Sequence, residues 1–64
     1  MIINGKKREI PDGTSIFSML ETLNLDPNKV VVEVNQNIIN KLSFEDHALV
    51  TGDKIEIIAF VGGG

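Results

Sequence analysis

The last five residues, Phe60-Val61-Gly62-Gly63-Gly64, are where this sequence offers chemistry. Three glycines follow a strong strand pattern with only Val61 between. At an average glycine usage of about 7%, such a triplet at a set position arises by chance roughly three times in ten thousand. A frayed end or a cloning remnant also produces terminal glycines. Neither explains why these follow the strand so closely and close the sequence. Glycine has no Cβ, so such a tail can thread a channel too narrow for side chains. Four residues past Phe60 reach about 13–14 Å when extended. The tail can therefore present the Gly64 carboxylate inside a partner's active site, with Gly62 and Gly63 lining the way. A carboxylate resists nucleophiles because its oxygen is a poor leaving group. Joined to AMP it becomes a mixed anhydride, which a sulfur nucleophile can attack. The ATP and Mg²⁺ for that step belong to the partner. The chain itself would bind no cofactor and supply only reach and a bare carboxyl.

Nothing else in the sequence assembles an active site. A nucleophile needs a base and an orienting group within reach. There is no Cys, which removes thiolate chemistry, disulfides and thiolate metal sites. His47 is the one histidine, set in the polar stretch Glu45-Asp46-His47, and reads as a surface loop residue. Alone it cannot hold a transition metal, so no metal site and no catalytic residue is expected. The Ser and Thr residues sit at caps and turns. Gly5, Gly13 and Gly52 are spaced as turn residues, not as a phosphate-cradling loop.

Charge and hydropathy exclude further classes. The chain has 64 residues and a formal net charge of −3, with six basic against nine acidic side chains. Nucleic-acid binding draws most of its affinity from a basic stripe, which is missing here. Lys6-Lys7-Arg8 is followed at once by Glu9 and reads as a solvated hairpin tip, in preference to a phosphate-binding patch. The longest apolar runs, such as Ile57 to Val61, are too short to span a bilayer. No signal peptide pattern opens the chain. A disulfide-free small domain suits a reducing cytoplasm.

The elements that must position the tail follow from periodicity. Met1 to Ile3 is a short apolar run with β-branched residues, and Asn4-Gly5 is a hairpin signal, with Lys7 to Ile10 expected to pair back. Pro11-Asp12-Gly13 ends that strand. Thr14 or Ser15 can cap a helix whose apolar face is Ile16, Met19, Leu20 and Leu23, flanked by Phe17. Asn24 and Asp26-Pro27-Asn28 stop it. Val30 to Asn35 is a strand with Val30, Val32 and Val34 on one face and Val31, Glu33 and Asn35 on the other. Asn37 to Asn40 is a short further strand. Leu42 to Leu49 is irregular, with Phe44 and Leu49 as anchors. Thr51-Gly52-Asp53 turns into the last strand, Lys54 to Phe60. There Ile55, Ile57 and Ala59 face one way and Glu56, Ile58 and Phe60 the other.

One helix covers one face of a sheet. The first and last strands can lie side by side and parallel at the sheet centre, with the helix in the crossover. The expected fold is therefore α+β, a β-grasp with a mixed sheet of four to five strands and one main helix. It forms a single domain over 1–64, with a flexible tail from about residue 61. The uncovered sheet face would carry an apolar patch beside the tail, and such patches tend to be binding sites. Val31, Ile58, Phe60 and Val61 are its expected members. Glu33 and Glu56 share that face and either meet basic partner residues or stay solvated. The alternative places Ile58 and Phe60 beneath the Leu42–Leu49 loop.

The whole sequence resembles the ThiS family of ubiquitin-like sulfur carriers in thiamine biosynthesis. The resemblance rests on Asn4-Gly5, on Gly13-Thr14-Ser15-Ile16 with Met19-Leu20, and on Val31-Val32-Glu33-Val34-Asn35 with Ile38-Ile39. It continues through Gly52-Asp53-Lys54-Ile55-Glu56-Ile57 and closes on Phe60-Val61-Gly62-Gly63-Gly64. Asn40-Lys41 departs from the family's frequent Pro-Arg, and Phe44 stands where many members carry Trp. Gly63 and Gly64 match the family's diglycine. The resemblance implies a non-catalytic carrier whose Gly64 carboxylate is adenylated by an E1-like enzyme. A cysteine desulfurase or other sulfur donor then makes the thiocarboxylate, and thiazole synthase takes the sulfur. A molybdopterin-synthase sulfur carrier, a ubiquitin-like protein modifier and a β-grasp interaction module share enough of these features to stay open.

Overall fold

The computed structural model describes residues 1–60. The elements are β1 (Ile2–Ile3), β2 (Lys6–Lys7), α1 (Ile16–Thr22), β3 (Val30–Val34), β4 (Asn37–Ile38) and β5 (Lys54–Ala59), with 3-10 turns at Pro27–Lys29 and Lys41–Ser43. The strands form one sheet in the order β2-β1-β5-β3-β4. β1 and β5 are parallel neighbours, and the remaining pairs are antiparallel. This is the β-grasp arrangement, with the strand that leads to the tail at the centre.

Local chemistry sets most of the boundaries. Ser15 is the helix cap, its hydroxyl accepting from the Ser18 N–H at 3.0 Å. Thr14 instead donates its hydroxyl to the Pro11 carbonyl at 2.7 Å. The helix ends at Thr22, so Leu23 is its C-cap and half-buried, not a member of the buried helix face. Asp26 caps the next turn through the Asn28 N–H, with Pro27 in the first-turn position.

The core lies between α1 and one sheet face. Ile16, Met19 and Leu20 pack against Ile3, Val30, Val32, Val34, Ile55 and Ile57. The irregular segment closes one end of this core. Phe44 and Leu49 are buried there, and Leu49 donates to the Thr14 carbonyl at 2.8 Å. Phe17 donates to the Phe44 carbonyl at 2.9 Å, and Ile16 to that of His47 at 3.1 Å. These bonds tie the segment to the start of the helix.

Several strand limits differ from the periodicity reading. β2 covers Lys6–Lys7, shorter than and ahead of the expected 7–10 segment, because the Asn4-Gly5 turn starts pairing at once. β3 stops at Val34, since Asn35 and Gln36 both take positive φ (51° and 71°) and make the next hairpin turn. β4 is limited to Asn37–Ile38 because Asn40 leaves the sheet to cap the turn at Lys41–Ser43. β5 ends at Ala59, yet Phe60 still donates to the Lys29 carbonyl at 3.0 Å.

Candidate functional site: the uncovered sheet face and the strand that feeds the tail

β5 alternates sharply. Ile55 is 1% exposed and Ile57 is buried, whereas Ile58 is 54% and Phe60 45% exposed on the opposite face. The segment 42–49 sits at the helix side, bonded to residues 13–17, so it does not cover Ile58 or Phe60. Strand register builds the rest of the face. Val31, half-buried, lies opposite Ile58. The next row runs Ile38, Glu33, Glu56 across β4, β3 and β5. On the other side, Ile2 lies beside Lys54. The outer face is thus apolar at Val31, Ile58 and Phe60, with two carboxylates directly opposite one another beside them.

The turns hold β5 from both sides. Asn4, at φ 50°, turns its side-chain amide onto Ile57. Its Oδ1 accepts from the Ile57 N–H at 2.7 Å and its Nδ2 donates to the Ile57 carbonyl at 3.2 Å. The side chain thereby continues the ladder after the backbone of β1 has turned away. Asn35 does the equivalent at the start of β5. Its Oδ1 accepts from the Lys54 N–H at 3.0 Å, and its Nδ2 donates to Asp53 Oδ1 at 3.0 Å. Asp53 Oδ2 in turn accepts from the Val50 N–H at 2.9 Å. Asn and Gly tolerate the left-handed backbone these turns need, and a carboxamide donates from its nitrogen while it accepts at its oxygen. Hydrogen-bonded partners on both flanks therefore extend to Phe60 on one side and Ile57 on the other.

Among the described residues, no group of three His, Cys, Asp or Glu side chains converges as metal ligands would. His47 is half-buried, and its carbonyl serves the helix start.

A model of the ThiS family matches residues 1–64. The sulfur carrier protein ThiS of Bacillus subtilis is 38% identical over 63 residues, covering 97% of this chain and 96% of that one. The chain belongs to the ThiS family. A crystal structure described as thiamine biosynthesis protein (ThiS) from Geobacter metallireducens superposes with a TM-score of 0.83 at 26% identity. It covers 98% of this chain and 96% of that one. A thiazole synthase of Paramagnetospirillum magneticum is 41% identical over 64 residues, which are all of this chain and 20% of that protein. The chain thus spans about a fifth of that relative's length.

Within this ThiS-family frame, the structure joins three of the four expected surface residues. Val31 and Ile58 are direct cross-strand neighbours, and exposed Phe60 follows two residues after Ile58, just past the end of β5. Val61 lies outside the described residues, as do Gly62, Gly63 and Gly64. Two members of the face went unassigned in the sequence. Ile38 is 71% exposed and flanks Glu33, and Ile2 flanks Lys54. Asn35-Gln36 was the available signal for Ile38, because a two-residue turn there fixes Ile38 opposite Glu33 and hence its side of the sheet.

Proposed function

We propose that this chain is a sulfur carrier of thiamine biosynthesis, acting as a substrate for other enzymes and not as a catalyst. Family membership supports the carrier role. The observation that carries the mechanism is β5, clasped by Asn4 and Asn35 and running toward the glycines. A firmly held central strand fixes the point from which the tail extends, so docking the sheet face aims the tail.

In the proposed cycle, an E1-like enzyme docks on Val31, Ile58, Phe60 and Val61. It receives Gly62, Gly63 and Gly64 in its channel and supplies ATP and Mg²⁺. A Gly64 carboxylate oxygen attacks the α-phosphorus of ATP, releasing pyrophosphate and forming the acyl adenylate. The terminal sulfur of a persulfide, from a cysteine desulfurase or other donor, attacks the carbonyl carbon and expels AMP. A thiol then reduces the resulting acyl disulfide, leaving the thiocarboxylate and a new disulfide. Thiazole synthase takes the sulfur. A curated thiazole synthase containing a stretch like this chain supports that acceptor. No helix among the described residues is long and apolar enough to cross a membrane. The use of ATP and reduced sulfur favours the cytoplasm.

Intact-mass spectrometry after incubation with ATP, Mg²⁺, a candidate activating enzyme, a persulfide donor and a reducing thiol tests the cycle. The expected product is heavier by the exchange of one oxygen for sulfur, and deletion of Gly64 abolishes it. Conjugates to other proteins would instead show a ubiquitin-like modifier, and no adduct on the last residue would reject both. Transfer to molybdopterin synthase in place of thiazole synthase would redirect the destination.

A further inference from the structure

A second surface lies on the opposite side of the molecule from Ile58. α1 is short, and its C-terminal end leaves a cleft of about 330 Å³ beside the β1–β2 hairpin. Ile3 and Ile57, both buried, form its floor, and half-buried Leu23 and Leu25 line it from the end of the helix. Lys6 and Arg8 form its rim. Lys6 is paired with Ile3 across the hairpin, so both point to the helix side, and strand alternation brings Arg8 to that side too. Neither cation makes a side-chain hydrogen bond among the described residues, and no acidic side chain lines the cleft. This holds in a chain of net charge −3, whose opposite face carries Glu33 and Glu56.

The hairpin is also the edge of the sheet. Arg8 donates its N–H to the Met1 carbonyl at 2.8 Å. In an antiparallel ladder the next residue then directs its N–H and carbonyl outward, which leaves those of Lys7 free for another strand. An apolar floor, two cations and an open strand edge together specify an extended peptide. Such a peptide would pair its backbone with Lys7, place an apolar side chain in the cleft and set carboxylates against Lys6 and Arg8.

We propose that this cleft docks an extended segment of a second partner protein, one with an apolar residue flanked by Asp or Glu. Ile57 faces this cleft and Ile58 the outer face, so the two surfaces can be occupied together. A carrier could then be held by one enzyme while its tail is in another. That use rests on the carrier reading; the binding itself does not.

Selection of a random peptide library displayed on phage against the full chain tests the proposal. The expected winners carry Asp or Glu around a leucine-like residue. A synthetic copy of the winning peptide should shift the amide resonances of Lys6, Arg8, Leu23 and Leu25 and leave Val31 and Phe60 in place. The double variant K6E/R8E should weaken binding about tenfold or more. Ile58→Ala should leave it unchanged. Should K6E/R8E lose its folded spectrum, Lys6→Ala supplies the second arm, with weaker binding and a shallower salt dependence. No enriched peptide, enrichment without acids, shifts confined to the outer face, or K6E/R8E binding within about twofold would each overturn the proposal. A tail that is never adenylated would not move any of these readouts.

Discussion

The two faces of β5 have opposite chemistry within a single strand. On one, Ile55 and Ile57 are buried against α1. On the other, Glu56, Ile58 and Phe60 are exposed, although Ile58 is as apolar as its neighbours. A fold this small has little apolar area to spare. Leaving Ile58 and Phe60 in water therefore separates two tasks. The inner face determines whether the chain folds, and on the proposed reading the outer face is where a partner docks.

That comparison breaks most visibly at paired isoleucines. Ile55→Ala leaves a cavity in the core and should cost about 2–5 kcal/mol. For a domain of this size that approaches total stability, which is roughly 3–10 kcal/mol. Ile58→Ala should stay within about 0.5 kcal/mol, as surface substitutions do. Urea unfolding of both variants measures the contrast. Similar losses at the two positions would mean that Ile58 belongs to the core after all.

The clasp on the strand gives a smaller effect. Asn4→Ala removes both contacts to the Ile57 backbone and puts at φ 50° a residue whose Cβ disfavours positive φ and that has no polar side chain to compensate. The loss of stability should be about 1–3 kcal/mol, because part-buried backbone groups are left without partners. Hydrogen exchange offers the sharper readout. The Ile57 amide should exchange faster relative to Val32, whose partners the substitution does not touch. Uniform acceleration across the sheet would show that Asn4 supports the fold in general and not β5 in particular.

These features were unequally legible in the sequence. Alternation in Val30–Val34 and Lys54–Ala59 gave each residue its correct side, because a period of two admits only one register against a buried face. The helix face was readable for the same reason, apart from Leu23, where the cap fell one residue earlier than the apolar pattern. What periodicity could not show was partnership. Nothing in Asn4-Gly5 or Asn35-Gln36, read as turns, says that both asparagines reach across to β5, since those contacts span 53 and 19 residues. The cleft was equally hidden. Lys6-Lys7-Arg8 reads as a solvated tip until β2 is seen to alternate beside a helix that stops at Thr22.

The smallest effect has the opposite sign from the others. Glu33 and Glu56 are direct neighbours across β3 and β5, and like charges so placed are destabilising. Glu33→Gln keeps the side chain's size and removes the repulsion. The fold should gain about 0.2–1 kcal/mol at low ionic strength, and the gain should shrink as salt screens the pair. If the pair exists to meet cations on an activating enzyme, the same substitution should slow association while stabilising the free protein. Stopped-flow association and urea unfolding on one variant therefore separate the two tasks directly. A stabilised variant with an unchanged association rate would leave the carboxylates as solvated neighbours and confine docking to Val31, Ile58 and Phe60. A variant without any gain at low salt would remove the repulsion argument itself.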